Sequence, residues 1–291
     1  MVSRRNFLGT STALLSTGLE ARSLPLTQKP PSITKAILVS MLPKELSYLD
    51  RFRLAVEIGF KEVEMRTVSN HMEAISIKKA ADKAGIRIHS VMNQAHWQYP
   101  LSSPKALDVE MSMRGMQISL HQAKLYDADT VLLVPAVVRS DTTYEQAWER
   151  SQEKIRQLIP LAEKLNIIIA IEEVWNKFLL TARDFVQFID EFNHPLIQAY
   201  LDVGNMVHYG VPQHWIREVG KRIVKVHLKD YSRRSRQFVN LGEGDVDWKG
   251  VRKAFSEIGY AGTATVELKA GNRNYLEDVS VRVNRLLELA G

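Results

Sequence analysis

Eight short apolar runs alternate with eight helical segments between residues 33 and 289, and that alternation leaves few folds open. The strand-like runs cover 33–39, 61–68, 87–92, 130–138, 167–173, 197–203, 223–228 and 263–268. Helical spacing covers 43–58, 70–84, 109–126, 142–165, 181–192, 213–220, 248–258 and 275–289. Most of the strands are apolar throughout rather than alternating, as in parallel sheets that helices cover. No Gly-rich phosphate loop follows the first strand, which favours a closed barrel over a doubly wound sheet. The expectation is a single (β/α)8 TIM barrel over residues 33–291, without internal boundary or repeat.

The length of 291 residues suits one such barrel with a short extension. Hydrophobic residues at 45% and charged residues at 25% are those of an ordinary globular protein. The net charge is +6, but outside Arg233-Arg234-Ser235-Arg236 the basic residues are scattered. That pattern reads as a solvated surface, and no nucleic-acid partner is expected. There is no cysteine, so disulfides, thiolate nucleophiles and Cys-ligated zinc are excluded.

At the N-terminus, Ser3-Arg4-Arg5-Asn6-Phe7-Leu8 resembles a twin-arginine export signal. The weakly apolar stretch 9–19 behind it is too short to span a bilayer. Residues 1–32 are therefore read as an export signal and a disordered, Pro-containing lead-in, with no membrane anchoring after export. Export would place the protein in the periplasm or outside the cell; an ordinary basic N-terminus, and a cytoplasmic protein, is the alternative.

The last four strands each end in a residue able to bind a hard metal ion: Glu172, Asp202, His227 and Glu267. The intervals are 30, 25 and 40 positions, each about one strand–helix unit, the last lengthened by a loop over 231–244. Strand C-termini of a (β/α)8 barrel converge on one mouth, where such barrels do their chemistry. One such acid could simply cap a helix; four in register make a site for one divalent cation. The oxygen-rich, sulfur-free set suits Mn2+ or Mg2+, with Co2+ and Zn2+ as alternatives.

These motifs resemble those of the xylose-isomerase-like barrel superfamily, and within it the ketose 3-epimerases and L-xylulose-5-phosphate 3-epimerase. The residues that carry the likeness are Ile169-Ala170-Ile171-Glu172, Leu201-Asp202-Val203-Gly204-Asn205, Val226-His227-Leu228-Lys229-Asp230, Leu241-Gly242-Glu243-Gly244 with Asp247-Trp248, and Val266-Glu267. The resemblance implies that Glu172 and Glu267 both ligate the metal and act as the acid/base pair, with Asp202 and His227 completing the coordination. It implies a divalent-metal-dependent sugar isomerase or epimerase that removes a proton beside a carbonyl and returns it through an enediolate. Glu173 competes with Glu172, because neighbouring strand residues face opposite ways; the resemblance favours Glu172.

Substrate contacts are expected from Glu64 on the second strand, from His96 and Trp97 in a long loop after the third, and from Asn205 and Arg233. Asn205 stands where many ketose epimerases carry histidine, and Arg233 matches an arginine that holds a substrate oxygen. Export favours a neutral sugar or glycoside as the small-molecule partner. The same proton abstraction would also serve a lyase cleaving 3-keto-glycosides by elimination. A DNA-repair endonuclease of this fold would need histidine at Asn205, and a non-catalytic sugar-binding barrel would need no metal. A homo-oligomer is neither required nor excluded by the sequence.

Overall fold

The computed structural model describes residues 33–289; the export signal and lead-in expected over 1–32 lie outside the described residues. Eight parallel strands close into a barrel in the order β1-β10-β7-β6-β5-β4-β3-β2. They are β1 (Thr34–Leu38), β2 (Glu62–Arg66), β3 (Arg87–Met92), β4 (Thr130–Leu133), β5 (Ile168–Glu172), β6 (Ile197–Asp202), β7 (Ile223–Leu228) and β10 (Thr263–Val266). A separate antiparallel pair, β8 (Asp230–Ser232) and β9 (Gln237–Val239), forms a hairpin behind β7. The helices are α1 (Tyr48–Glu57), α2 (His71–Ala84), α3 (Ala106–Leu125), α4 (Tyr144–Leu165), α5 (Ala182–Asp190), α6 (Val203–Tyr209), α7 (Pro212–Val219), α8 (Trp248–Ile258) and α9 (Arg273–Leu287). None of the described helices is long and apolar enough to cross a membrane.

Local chemistry sets these boundaries. Asn70 caps α2 by accepting from Met72 and Glu73, and Thr143 and Gln146 close a reciprocal capping box on α4. The first helix starts at Tyr48 rather than 43, because Ser47 accepts from the Asp50 amide and fixes the N-terminus there. The fourth strand stops at Leu133 instead of running to 138, since the next backbone donors leave the ladder. Val137 N–H bonds the Ser102 hydroxyl and Val138 N–H bonds the Asn176 carbonyl. Helix α6 was not anticipated. Asp202 itself caps it by accepting from Asn205 N–H at 2.8 Å, so the chain turns helical one residue after a strand.

The apolar core lies between barrel and helices, with Phe52, Phe60, Phe185, Phe188 and Phe255 fully enclosed. A smaller cluster fills the barrel itself: Leu38, Met92, Leu132, Val134, Ala170, Val174 and Tyr200. The remaining interior is polar. Its floor joins Glu62 to Arg87 and Thr263, each at 2.6 Å, and Lys225 to Asp129 at 2.9 Å.

Two close approaches hold the mouth in shape. A Cβ on Gly204 would meet the Lys229 side chain at 2.5 Å and its carbonyl carbon at 2.9 Å, so glycine lets α6 lie against the end of β7. Asp230, fully buried, accepts four hydrogen bonds: from Tyr231 N–H (2.9 Å), Gly242 N–H (2.8 Å), Val246 N–H (3.2 Å) and the Trp248 indole (2.9 Å). One carboxylate thus ties the start of β8, the 241–246 loop and the start of α8 together. Removing it strands buried donors, each costing roughly 1–3 kcal/mol. Asp230→Ala is expected to lower stability in urea unfolding by more than about 3 kcal/mol, and Asp230→Asn by less.

Candidate metal centre

Glu172 and Asp202 are the last residues of β5 and β6, His227 is next to last in β7, and Glu267 directly follows β10. Each offers one ligand atom, and the four atoms lie within 4.8 Å of one another. Three of the residues are buried and Glu267 is only partly exposed. His227 Nδ1 stands 2.9 Å from Glu172 Oε1, 2.9 Å from Glu267 Oε2 and 3.9 Å from Asp202 Oδ2. Its other nitrogen, Nε2, meets Glu64 Oε2 at 2.6 Å. Glu64 also accepts the Ser90 hydroxyl, and the Tyr200 ring packs 4.4 Å from the imidazole. With Nε2–H donated to Glu64, Nδ1 faces the three acids and, while it carries a proton, donates to Glu172.

The electrostatics follow from this crowding. Burial opposes a charged imidazole, but Glu267, Glu64 and Glu172 outweigh it and hold His227 well above its ordinary range. Burial likewise opposes a charged Lys229, yet Asp202 and Glu267 keep its amine firmly protonated. Burial pushes Glu172 up to about 7 despite His227. Burial pushes Glu267 in the same direction, but Lys229 and His227 overcome it and hold that carboxylate well below its usual range. Lys229 Nζ is 2.9 Å from Asp202 Oδ2 and 2.8 Å from Glu267 Oε2, but neither oxygen receives a well-directed hydrogen bond from any group. Buried carboxylate oxygens without directed donors, beside an imidazole nitrogen that can ligate once its proton leaves, are the donor set of a hard divalent cation.

The other residues expected at the site divide. Glu173 is buried and turned to the frame, its Oε1 accepting from Asp202 N–H at 3.4 Å. His96 is buried near the acids; its Nδ1 accepts from Val134 N–H at 3.4 Å, and burial pulls it down to about 4 although Glu267 pulls upward. It is therefore neutral at pH 7, with its proton on Nε2. Trp97 meets His96 edge-on and is 52% exposed.

Three of the expected substrate contacts already hold partners within the chain. Glu64 is wholly buried, and its oxygens accept from His227 and Ser90. Asn205 braces the frame, donating its amide to the Glu173 carbonyl at 3.2 Å. Arg233 is committed to the end of α6, bonding the Val207 and Gly210 carbonyls at 3.1 and 3.2 Å.

Two features were not foreseen. Lys229 lies within a motif, but spacing does not tell which way its side chain points. Trp175, just after β5, stacks on Phe238 of β9 with centroids 4.9 Å apart, and Lys229 Nζ sits 5.4 Å from the Phe238 ring. Tyr231 and Phe238, the two aromatics of 231–238, offer only a weak hint of that wall in the sequence.

The curated L-ribulose-5-phosphate 3-epimerase of Salmonella typhi is 25% identical to this chain over 251 residues, 81% of this chain and 87% of that protein. The solved 3-keto-D-glucoside 4-epimerase of E. coli superposes with a TM-score of 0.73 at 14% identity, covering 89% of this chain and 99% of that one. The IOLI protein, solved with a bound zinc atom, gives a TM-score of 0.73 at 16% identity over 88% and 98% of the two chains. With residues 52–284 matching its description, this chain belongs to the xylose isomerase-like TIM barrel family.

Proposed function

We propose that this protein is a divalent-metal-dependent isomerase or epimerase of sugars. The observation that carries the reading is the pair of carboxylates, Glu172 and Glu267, each 2.9 Å from one imidazole nitrogen at the barrel mouth. The epimerase activity in the name of the Salmonella relative supports it. Glu172, Asp202, His227 and Glu267 would hold the cation, Mn2+ in first place and Mg2+, Co2+ or Zn2+ as alternatives; the zinc in the IOLI structure supports a metal on this frame. Bound there, the ion would supply Lewis-acid stabilisation of the oxyanion that develops when the substrate loses its proton.

The chain's own groups do the rest. One glutamate takes the proton from the carbon beside the carbonyl, and the electron pair moves onto the carbonyl oxygen to give the enediolate. The other glutamate returns a proton from the opposite face and inverts the centre. Glu64 holds the His227 ring, neutral His96 offers its Nε2–H to a sugar oxygen, and exposed Trp97 offers an apolar wall. A second reading, elimination from a 3-keto-glycoside, begins with the same abstraction and ends with loss of the aglycone. The likeness to a 3-keto-D-glucoside 4-epimerase supports that substrate class. The reading is tested by NMR in D2O: metal-loaded protein should exchange the proton beside the carbonyl in D-fructose, L-ribulose, L-ribulose 5-phosphate or a 3-keto-D-glucoside.

Elemental analysis should find about one divalent ion per chain, the number that one four-ligand site holds. Asp202→Asn should lose it while still folding, because the amide oxygen keeps the cap on Asn205 N–H. Full metal content in that variant would remove Asp202 from the coordination set.

Glu172→Gln and Glu267→Gln should each fold but lose about 10²–10⁴-fold in turnover, the usual cost of a positioned acid or base. Glu173→Gln should be far milder. A dead Glu173→Gln beside an active Glu172→Gln would exchange the two roles.

The arginine pair Arg4-Arg5 supports export of the folded, metal-loaded protein, where the substrate would be a neutral sugar or glycoside. Loading before export protects the choice of ion, because copper and zinc outcompete manganese by affinity alone. Changing Arg4 and Arg5 together to lysine should retain active protein in the cytoplasm on fractionation. Wild-type protein found there instead would favour the cytoplasmic alternative.

A further inference from the structure

Strand β2 carries one more inward charge than the acid cluster uses. Val63 and Met65 pack outward beneath the helices, so Glu62, Glu64 and Arg66 share the inner face. Glu62 is consumed at the floor by Arg87 and Thr263, and Glu64 one step higher by His227. Arg66 is the next step up, at the mouth end of the strand. It pairs in register with Met92, whose side chain lines the barrel interior.

Arg66 is half-buried, and its Nε is closed off from solvent with no acceptor. Arg53, Arg87, Arg217, Arg222, Arg252, Arg273 and Arg282 all form ion pairs, whereas none of the ion pairs among the described residues involves Arg66. A guanidinium cannot escape this position by losing its proton. An N–H that is buried without a partner is a donor kept for something not built from the chain.

We propose that Arg66 is the substrate-oxygen clamp of this mouth, the role that the sequence motif suggests for Arg233. The proposal rests on the reading of the site as one for sugars and names the group that orients them. A guanidinium fork donates to two acceptor oxygens at once. Those oxygens are a neighbouring hydroxyl pair on a neutral sugar or two oxygens of a phosphate ester.

The test uses the metal-loaded full chain with Arg66→Met and Arg66→Lys, checking melting temperature and metal content first. Binding of D-fructose, L-ribulose, L-ribulose 5-phosphate and a 3-keto-D-glucoside is read by saturation-transfer NMR, independently of turnover. Arg66→Met should weaken binding of the preferred sugar, and raise its KM, by about tenfold or more, the worth of one charge-assisted pair. Arg66→Lys should recover part of that loss, and the metal content should not change. Inorganic phosphate separates the two sources. Competition by phosphate that Arg66→Met abolishes identifies a phosphate ester, and a sugar-binding defect without phosphate competition identifies hydroxyls; either result supports the clamp. Wild-type sugar affinity and KM in Arg66→Met overturn it, as does a wild type that binds none of the four. If wild type binds a sugar through Arg66 but exchanges no proton, the reaction assignment fails and the clamp stands.

Discussion

The fully buried imidazole of His227 is gripped from both sides by carboxylates. Glu64 holds Nε2 from within the barrel, while Glu172 and Glu267 face Nδ1 from the mouth. An isolated buried carboxylate costs several kcal/mol, so this much negative charge persists only around compensating positive charge. In the protein alone that charge comes from His227 and Lys229. Lys229 reaches the same two oxygens, on Asp202 and Glu267, that a cation would need. The fold therefore offsets only part of the acids' charge with lysine and imidazolium, and a bound cation would supply the rest.

The rest of the architecture can be traced to keeping that cluster in place. Asp202 divides its two oxygens, Oδ1 capping α6 and Oδ2 turned to the cluster, so the helix start and the site are fixed by one side chain. Gly204 lets the same helix press on Lys229, and the Asp230 cage fixes the backbone just beyond it. The quoted motifs His-Leu-Lys-Asp and Leu-Gly-Glu-Gly are thus two halves of one hydrogen-bonded unit. Gly244 lies so close to the Asp230 carboxylate that a Cβ there would collide with it.

The sequence showed the eightfold alternation, and it placed Glu172, Asp202, His227 and Glu267 at strand ends, because apolar runs and their last residues are local properties. The structure brings those four together. What stayed hidden depends on contacts between segments far apart in the chain. Arg233 is drawn to carbonyls of α6, a helix whose Asp cap was visible at position 202 but was read as the tail of a strand. Glu64 meets a partner 163 positions away. Even there, alternation alone would have put Glu62, Glu64 and Arg66 on one face of β2; only their partners were out of reach.

In the proposed reaction, proton removal beside a carbonyl sets the chemistry but not the outcome. After abstraction, the same enediolate can be reprotonated on its other face or can expel a group from the neighbouring carbon. Glu172 and Glu267 would serve either path, so the choice would fall to whatever fixes the sugar's far end. In this barrel those elements are not the strands that carry the candidate metal cluster. They are the loops after β3, β5 and β7, with Trp97, Trp175 and Phe238 all more than a third exposed, and the inward edge of β2. On the proposed reading, catalysis would reside in the rigid barrel and selectivity in its rim, which is how one frame can carry several related sugar reactions.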